Sequence, residues 1–437
     1  MIDGCKETSL GLIPKSWDIN HLGKICDVRD GTHDSPKYHD TGIPFITSKN
    51  LTETELCFEN IKFISKEDHV NFSKRSHVEN GDILFGMIGT VGKPIIVDED
   101  FEFSIKNVAL LKFSKSKKLN NFYALNVLKS SIVDNQFKKM SNGGVLKFVA
   151  LGNIRNLIFP LPPLAEQQKI AEILSTVDDK IEVINQQITE TQELKKGLMQ
   201  RLLTKGIGHA EFKDSPLGKI PKSWEVIQIE QLLDKGRITS HLDGNHGGLY
   251  PNADEFINEG VPYIGANCFL NSKVDFSKCK HLSMERSLKF RKGVAKNGDV
   301  LFAHNATVGP VAFLETELDF VILSTTATYY RLDNKTIDAK YWLFFLSSPT
   351  FKNQYEKVMG QSTRNQVPIT MQRSFYSVLP PFKEQKEISE ILNIADEKLE
   401  ILLEKKTRYQ ELKQGLMQQL LTGKIRVNSL IYKTVTA

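Results

Sequence analysis

The chain repeats itself, and the repeat limits what it can fold into. Gly11-Leu-Ile-Pro-Lys-Ser-Trp17 returns as Gly218-Lys-Ile-Pro-Lys-Ser-Trp224, 207 residues later. Asp30-Gly31-Thr32-His33 returns as Asp243-Gly244-Asn245-His246, and Gly42-Ile-Pro-Phe-Ile46 as Gly260-Val-Pro-Tyr-Ile264. Asn80-Gly-Asp-Ile-Leu-Phe85 answers to Asn297-Gly-Asp-Val-Leu-Phe302, and Thr90-Val91-Gly92 to Thr307-Val308-Gly309, at an offset now of 217. Pro162-Pro163-Leu-Ala-Glu166-Gln167 pairs with Pro380-Pro381-Phe-Lys-Glu384-Gln385, and Glu193 to Thr204 with Glu411 to Thr422, at 218. The order never changes, so the chain is a tandem duplication. The drift in offset gives the second copy about eleven extra residues, mostly before Gly260, in the loop rich in glycine and histidine from Ser240 to Pro251. The period is far too long for a solenoid, so each copy should have its own core. A length of 437 residues agrees, being too great for one ordinary core.

Each copy has two parts. From about Trp17 to Leu161, short apolar runs (Ile43 to Thr47, Asp82 to Gly86, Pro94 to Val97, Val108 to Phe113) alternate with Gly, Asn and Asp turns. This predicts strands with a few helices, such as Asn121 to Phe137, in an α/β or mostly β domain. After Pro162-Pro163 the period changes. Ile170, Leu174, Val177, Ile181, Ile184, Ile188 and Thr191 recur at alternating spacings of four and three, the a/d seam of a heptad. Ile388, Leu392, Ala395, Leu399 and Leu402 repeat the seam in the second copy before Lys406 and Tyr409 weaken it. Forty residues of helix would be roughly 60 Å long, which leaves much of the seam beyond one domain and suits the two helices to each other. The expected domains are 1–161, 207–379 and the helical segments 162–206 and 380–425, with a tail at 426–437.

Charge follows the same division. Residues 164–204 carry −2 and 382–422 carry −1, so a chain of net +5 leaves +8 to the globular parts and connectors. A phosphate-contacting surface would lie there. No apolar run spans a bilayer, the opening residues lack the basic start and apolar centre of a secretory signal, and five cysteines without a Cys-x-x-Cys pair suggest neither a disulfide framework nor a thiolate zinc site. The expected setting is a reduced cytoplasm.

Catalytic and metal readings find little support. His33 with His39, or His241 with His246, lie in loops without cysteine neighbours. Gly86-Met-Ile-Gly89-Thr-Val-Gly92 lacks the Gly-Lys-Ser/Thr ending of a phosphate loop, and its counterpart has lost two of the glycines. Leu379-Pro380-Pro381-Phe382 has the ending of an amino-methyltransferase motif but not the amide, and it aligns with the helix entrance at Leu161. Neither an S-adenosylmethionine site nor a nuclease constellation is visible, so no cofactor is expected in this chain.

Two variable globular domains, each closed by Pro-Pro-x-x-Glu-Gln and a long helix ending in Gly-Leu-Met-Gln-x-Leu-Leu-Thr, resemble the specificity subunits of type I restriction-modification systems. The likeness covers nearly the whole chain. It implies two target-recognition domains held apart by two antiparallel helices packed as a coiled-coil spacer. It also implies double-stranded DNA, two methyltransferase subunits and two restriction subunits as partners, with S-adenosylmethionine, ATP and Mg2+ held by those partners. The chain itself would be non-catalytic. The rival reading is a coiled-coil scaffold or regulatory subunit with no DNA specificity of its own.

If the domains read DNA, base identity must come from polar side chains on loops that reach groove edges. In the first domain these are Arg29, Thr32, His33, Lys49 and Asn50, then Asn142, Gly143, Gly144 and Lys147. In the second they are Arg237, Thr239, His246, Asn267, His304 and Asn305, then Gln361, Thr363, Arg364, Asn365 and Gln366. Two readers on one face of B-DNA fit best about one turn apart, or roughly ten base pairs.

Overall fold

The computed structural model describes residues 4–89, 91–141, 147–360, 365–428 and 430. Contacts divide the chain into two compact units, Met1–Asn185 with Glu404–Ala437, and Gln186–Leu403. The cuts fall inside both long helices, so each unit takes one globular copy, part of the first helix and part of the second.

In the first unit, a four-stranded antiparallel sheet runs in the order Asp27–Asp30, Val108–Lys112, Ile83–Gly86, Gly92–Ile96. Val108 to Leu111 and all of Ile83–Gly86 are buried, which explains apolar runs in place of alternation. A smaller sheet places Ile43–Thr47 between Lys62–Ile64 and Ser104–Lys106, the second pairing being parallel. Asp18–His21 pairs with Ile158–Leu161 and so ties the start of the copy to its end. The single helix expected over Asn121 to Phe137 is two, Asn121–Leu128 and Ser131–Met140. Ser130 interrupts it, because its hydroxyl donates to Val127 O (2.7 Å) and accepts from Ile132 N (3.3 Å), capping the second helix.

The second unit repeats the plan with larger sheets. Ile238–Asp243, Ala327–Leu332, Val300–Asn305 and Thr307–Phe313 form the equivalent four strands, extended by Lys273–Val274 and Phe269–Leu270. Val261–Ile264 sits in a five-stranded sheet and pairs in parallel with Val321–Leu323. Glu225–Gln228 pairs with Tyr376–Leu379 as the first copy's ends do.

The long helices are Leu164–Lys205 and Phe382–Leu420. Each starts after a double proline, whose rings cannot continue a helix backwards. Just past their ends stand Gly206 and Gly423, with φ of +64° and +70°. Of the seam residues, Ile170, Leu174, Val177, Ile184, Ile188, Ile388, Leu392 and Leu402 are buried, and Ile181 and Leu399 partly so. Ile170 and Leu174 share the first unit's core with Leu420 and Leu421, and Ile388 and Leu392 share the second unit's core with Leu202 and Leu203.

The repeated opening and proline motifs meet in both units. Trp17 Nε1 donates to Glu166 Oε2 (2.9 Å), and Trp224 Nε1 to Glu384 Oε2 (2.9 Å). Gln167 and Gln385 each donate to the carbonyl of the first proline of their own motif, Pro162 and Pro380 (2.9 Å each). The second oxygen of Glu166 takes Arg426 Nε (2.7 Å), and that of Glu384 takes Ile207 N (3.0 Å) and faces His209 Nε2 (2.8 Å).

Candidate nucleic-acid interface

In the first unit the loops gather at one end of the four-stranded sheet. Gly31 passes so close to the neighbouring segment that a Cβ there would lie 2.3 Å from Ile105 O, and this crossing delivers Thr32 and His33. His33 Nε2 meets the buried Asp30 carboxylate (2.9 Å), which also pairs with Arg75, and Nδ1 meets Asn107 Oδ1 (2.7 Å). Ser48 Oγ donates to Asn107 O (3.2 Å) and accepts from Ile88 N (3.5 Å). Gly89 N donates to Lys147 O (2.9 Å), and Ile88 bridges Phe148. His33, Lys49 and Lys147 thus share one surface with Asn107 and the exposed Ile88 and Phe148, whereas Thr32 is buried and its hydroxyl is bonded to Asp34 (3.1 and 3.2 Å). Asn50 turns back into its own loop, accepting from Thr47 N (2.9 Å) and donating to Cys57 O (3.0 Å). Arg29 grips Asp27 (2.7 and 2.9 Å) and lines a separate polar pocket of about 620 Å³ with Lys24, Lys112 and Lys115.

The second unit builds the same crossing at Gly244, where a Cβ would lie 2.1 Å from Ser324 O. Ala266 N donates to Thr326 Oγ1 (2.9 Å), and Ser324 and Thr326 share a hydrogen bond (2.7 Å), so the exposed Asn267 stands beside both. Asn305 bridges Gln366, and Asn365 holds Ala306 through Ala306 N to Asn365 O (3.1 Å) and Asn365 Nδ2 to Ala306 O (2.7 Å). Asn267, Asn305, Asn365 and Gln366 are therefore brought together. Arg237 and Thr239 are not. Arg237 pairs with Glu225 (2.6 Å), and Thr239 Oγ1 donates to Arg331 O (3.2 Å). His246 is buried against Phe290 (4.3 Å between rings) with Nε2 on Leu323 O (2.7 Å), and His304 is buried with Nδ1 on Val367 O (3.2 Å). Asn142, Gly143, Gly144, Gln361, Thr363 and Arg364 lie outside the described residues.

The duplication is also what comparison with known proteins finds. Residues 14–193 and 221–414 each match the model of the type I restriction modification DNA specificity domain. The chain belongs to this family. It is 28% identical to the putative type I restriction enzyme MjaX specificity subunit of Methanocaldococcus jannaschii, over 97% of both chains. With the MjaVIII specificity subunit of the same organism it shares 27% over 96% of this chain and 95% of that one. The fold is shared with the type I restriction-modification S subunit of M. genitalium (TM-score 0.57, 14% identity, 92% of this chain and 96% of that one). It is shared too with a chain from a structure of type I R-M complex assembly and conformational transition (0.55, 17%, 94% and 99%).

Sequence reasoning missed Asn107, Ser48 and Thr326 in these specificity domains. Asn107 carried a signal, since a lone Asn between two apolar strands suits a left-handed turn, and its φ is +55°. The buried histidines carried one too, because His304 ends the apolar run Val300 to Ala303. Burial pushes the His241 imidazole down to about 3, and lowers His246 and His304 as well. Below the ordinary value of about 6.5 the unfolded chain takes up protons that the folded second domain refuses. Stability is therefore full above that value and falls with pH toward 3. Acidification to pH 5 is expected to remove about 2 kcal/mol through His241 alone. The first domain has Val28 at the matching position, so hydrogen exchange across a pH series should show residues 186–403 loosening first. Equal loosening of both units would refute this.

Proposed function

We propose that this chain is the DNA-reading subunit of a type I restriction-modification complex, each domain reading one half of a bipartite, asymmetric target. The duplication carries the reading. One frame is kept twice, with its Trp–Glu anchors and glycine crossings, while the polar residues at the two tips differ. Two different tips suit two different half-sites. His33, Lys49 and Lys147 in the first domain, and Asn267, Asn305, Asn365 and Gln366 in the second, are the described side chains placed to meet bases or phosphates. Arg29, Thr32, Asn50, Arg237, Thr239 and His246 serve the frame, and His304 is buried behind Val367.

The helices are proposed as an antiparallel coiled-coil spacer between the readers. Two ion pairs support this, Asp178 with Lys413 (2.6 Å) in the first unit and Lys195 with Asp396 in the second. Advancing seventeen residues along one helix, from Asp178 to Lys195, retreats seventeen along the other, from Lys413 to Asp396. The chain would work in the cytoplasm without catalysing a step. Methyltransferase and restriction subunits, two of each, would supply the chemistry with S-adenosylmethionine, ATP and Mg2+.

The test is genome-wide mapping of methylated bases in cells carrying this chain and its modification partner. The expected target has two half-sites whose centres lie about ten base pairs apart. Replacing residues 1–161 by the matching domain of a relative should change one half of the methylated sequence and leave the other. An unchanged target after the exchange would favour a scaffold without specificity.

A further inference from the structure

The two domains share a core layer in position but not in chemistry. Under the sheet of the first domain lie Val28, Met87, Ala109, Leu111 and Ile154, all in one hydrocarbon cluster. Strand register and helix alignment place His241, His304, Thr328, Tyr330 and Gln372 at the same five positions of the second. Even the arginine beside the layer is kept, with Arg155 donating to Val28 O (2.7 Å) and Arg373 to His241 O (2.9 Å).

This layer is wired through Gln372, which is fully buried. Its Oε1 accepts from His241 Nε2 (3.2 Å), Thr328 Oγ1 (3.1 Å) and Tyr330 OH (3.0 Å), and the His241 ring stacks on Tyr330 at 4.1 Å. Those donors fix the amide's orientation and leave Nε2 as the donor to Val367 O, at 2.9 Å. His304 Nδ1 reaches the same carbonyl at 3.2 Å. Val367 follows directly on Asn365 and Gln366. In the first domain the matching residue is Val149, held by its own N–H to Met87 O (2.9 Å) as Val367 is to His304 O (2.7 Å). There the resemblance stops, since Met87 and Ile154 have no polar hydrogen to offer the Val149 carbonyl.

A buried polar network is costly unless it is satisfied, and this one is not fully so. His241 Nδ1, His304 Nε2 and Arg373 Nε have no hydrogen-bond partner among the described residues. The first domain shows that the frame stands without it. We propose that Gln372 and His304 are positioning residues for the second reading surface: their two side-chain donors on Val367 O fix the seat of Asn365 and Gln366 beside Asn305 and Asn267. This rests on the DNA-reading proposal above and adds that only one of the two half-sites is read through such a network.

The experiment uses the chain in complex with its methyltransferase partner. Methylation rates are measured on the target and on duplexes with single base changes in either half. The double variant His304→Met with Gln372→Ile installs the first domain's residues. It is expected to lower discrimination among base changes in one half-site by roughly tenfold and to leave discrimination in the other half unchanged. Loss of stability would reduce rates on all duplexes together and would not move this ratio. His304→Asn, which keeps a donor near the Nδ1 position, is expected to preserve discrimination. Should the double variant fail to fold, the single Gln372→Met variant gives the same reading. Unaltered discrimination in both halves, or equal loss in both, would overturn the proposal. Methylation by the unaltered complex without sequence preference would instead overturn the DNA-reading proposal on which it rests.

Discussion

Replacing Glu166 with alanine is expected to destabilise the first unit by about 3 kcal/mol, the lower end of what breaking a buried ion pair removes. The Glu166 side chain is 1% exposed, and its two oxygens take Trp17 Nε1 and two nitrogens of Arg426. Alanine would leave an indole N–H orphaned in the core and a guanidinium without its counter-charge. Arg426 is 31% exposed on its side chain, so water compensates part of the loss and keeps the effect from the upper end. Glu166→Gln keeps an acceptor for the indole and should lose about 1–2 kcal/mol. Glu384→Ala removes acceptors from Trp224 Nε1 and Ile207 N but strands no guanidinium, and about 2 kcal/mol is expected. Denaturant unfolding followed by hydrogen exchange would assign each loss to its unit. A Glu166→Ala chain as stable as the unaltered one would show that the anchor contributes nothing.

That anchor was half legible in the sequence. Repetition marked Trp17, Trp224, Glu166 and Glu384 as parts of a frame, since a motif kept in both copies while loops change is held by contacts that loops do not make. Their meeting could not be read, because a hydrogen bond spanning 149 residues leaves no local pattern. Arg426 was assigned to a tail, and its likeness in place to His209 emerges only when both are seen on equivalent carboxylates. The helices were legible from heptad spacing, yet a seam does not say what covers it, so the division of each helix between the two units was not. The proposed reading surfaces were the least legible part. Loop composition finds polar residues but not the side they face. His246 and Asn50 sit in the expected loops and turn inward, Arg237 and Thr239 are spent at the other end of the sheet, and Lys49, Asn267 and Asn365 remain outward. Comparing the copies residue by residue does better, because Met87 against His304 and Ile154 against Gln372 mark a core position where one copy has become polar.

Gly244→Ala is expected to have the largest effect of any single methyl added to this protein, at least about 3 kcal/mol on the second unit. The reason is the partner of the clash. The new Cβ would stand 2.1 Å from Ser324 O and 2.3 Å from Leu323 O, and both are backbone atoms of the segment on which the loop crosses. A flexible side chain could swing aside, whereas these carbonyls are committed: Leu323 O accepts from His246, and Ser324 O accepts from Ala327 N (3.2 Å). The crossing must open, and with it the approach that sets Asn267 beside Thr326. Gly31→Ala should do the same to the first unit, where the Cβ meets Ile105 O at 2.3 Å and Ile105 Cγ1 at 2.9 Å. Gly248→Ala is the control, since that glycine faces open space and has no positive φ. Thermal unfolding of the three variants should leave Gly248→Ala within about 0.5 kcal/mol of the unaltered chain. Hydrogen exchange should place the damage of Gly31→Ala at Thr32 and His33 and that of Gly244→Ala at Asn245 and His246. If Gly244→Ala folds as well as Gly248→Ala, the close crossing is not what shapes the two proposed reading loops.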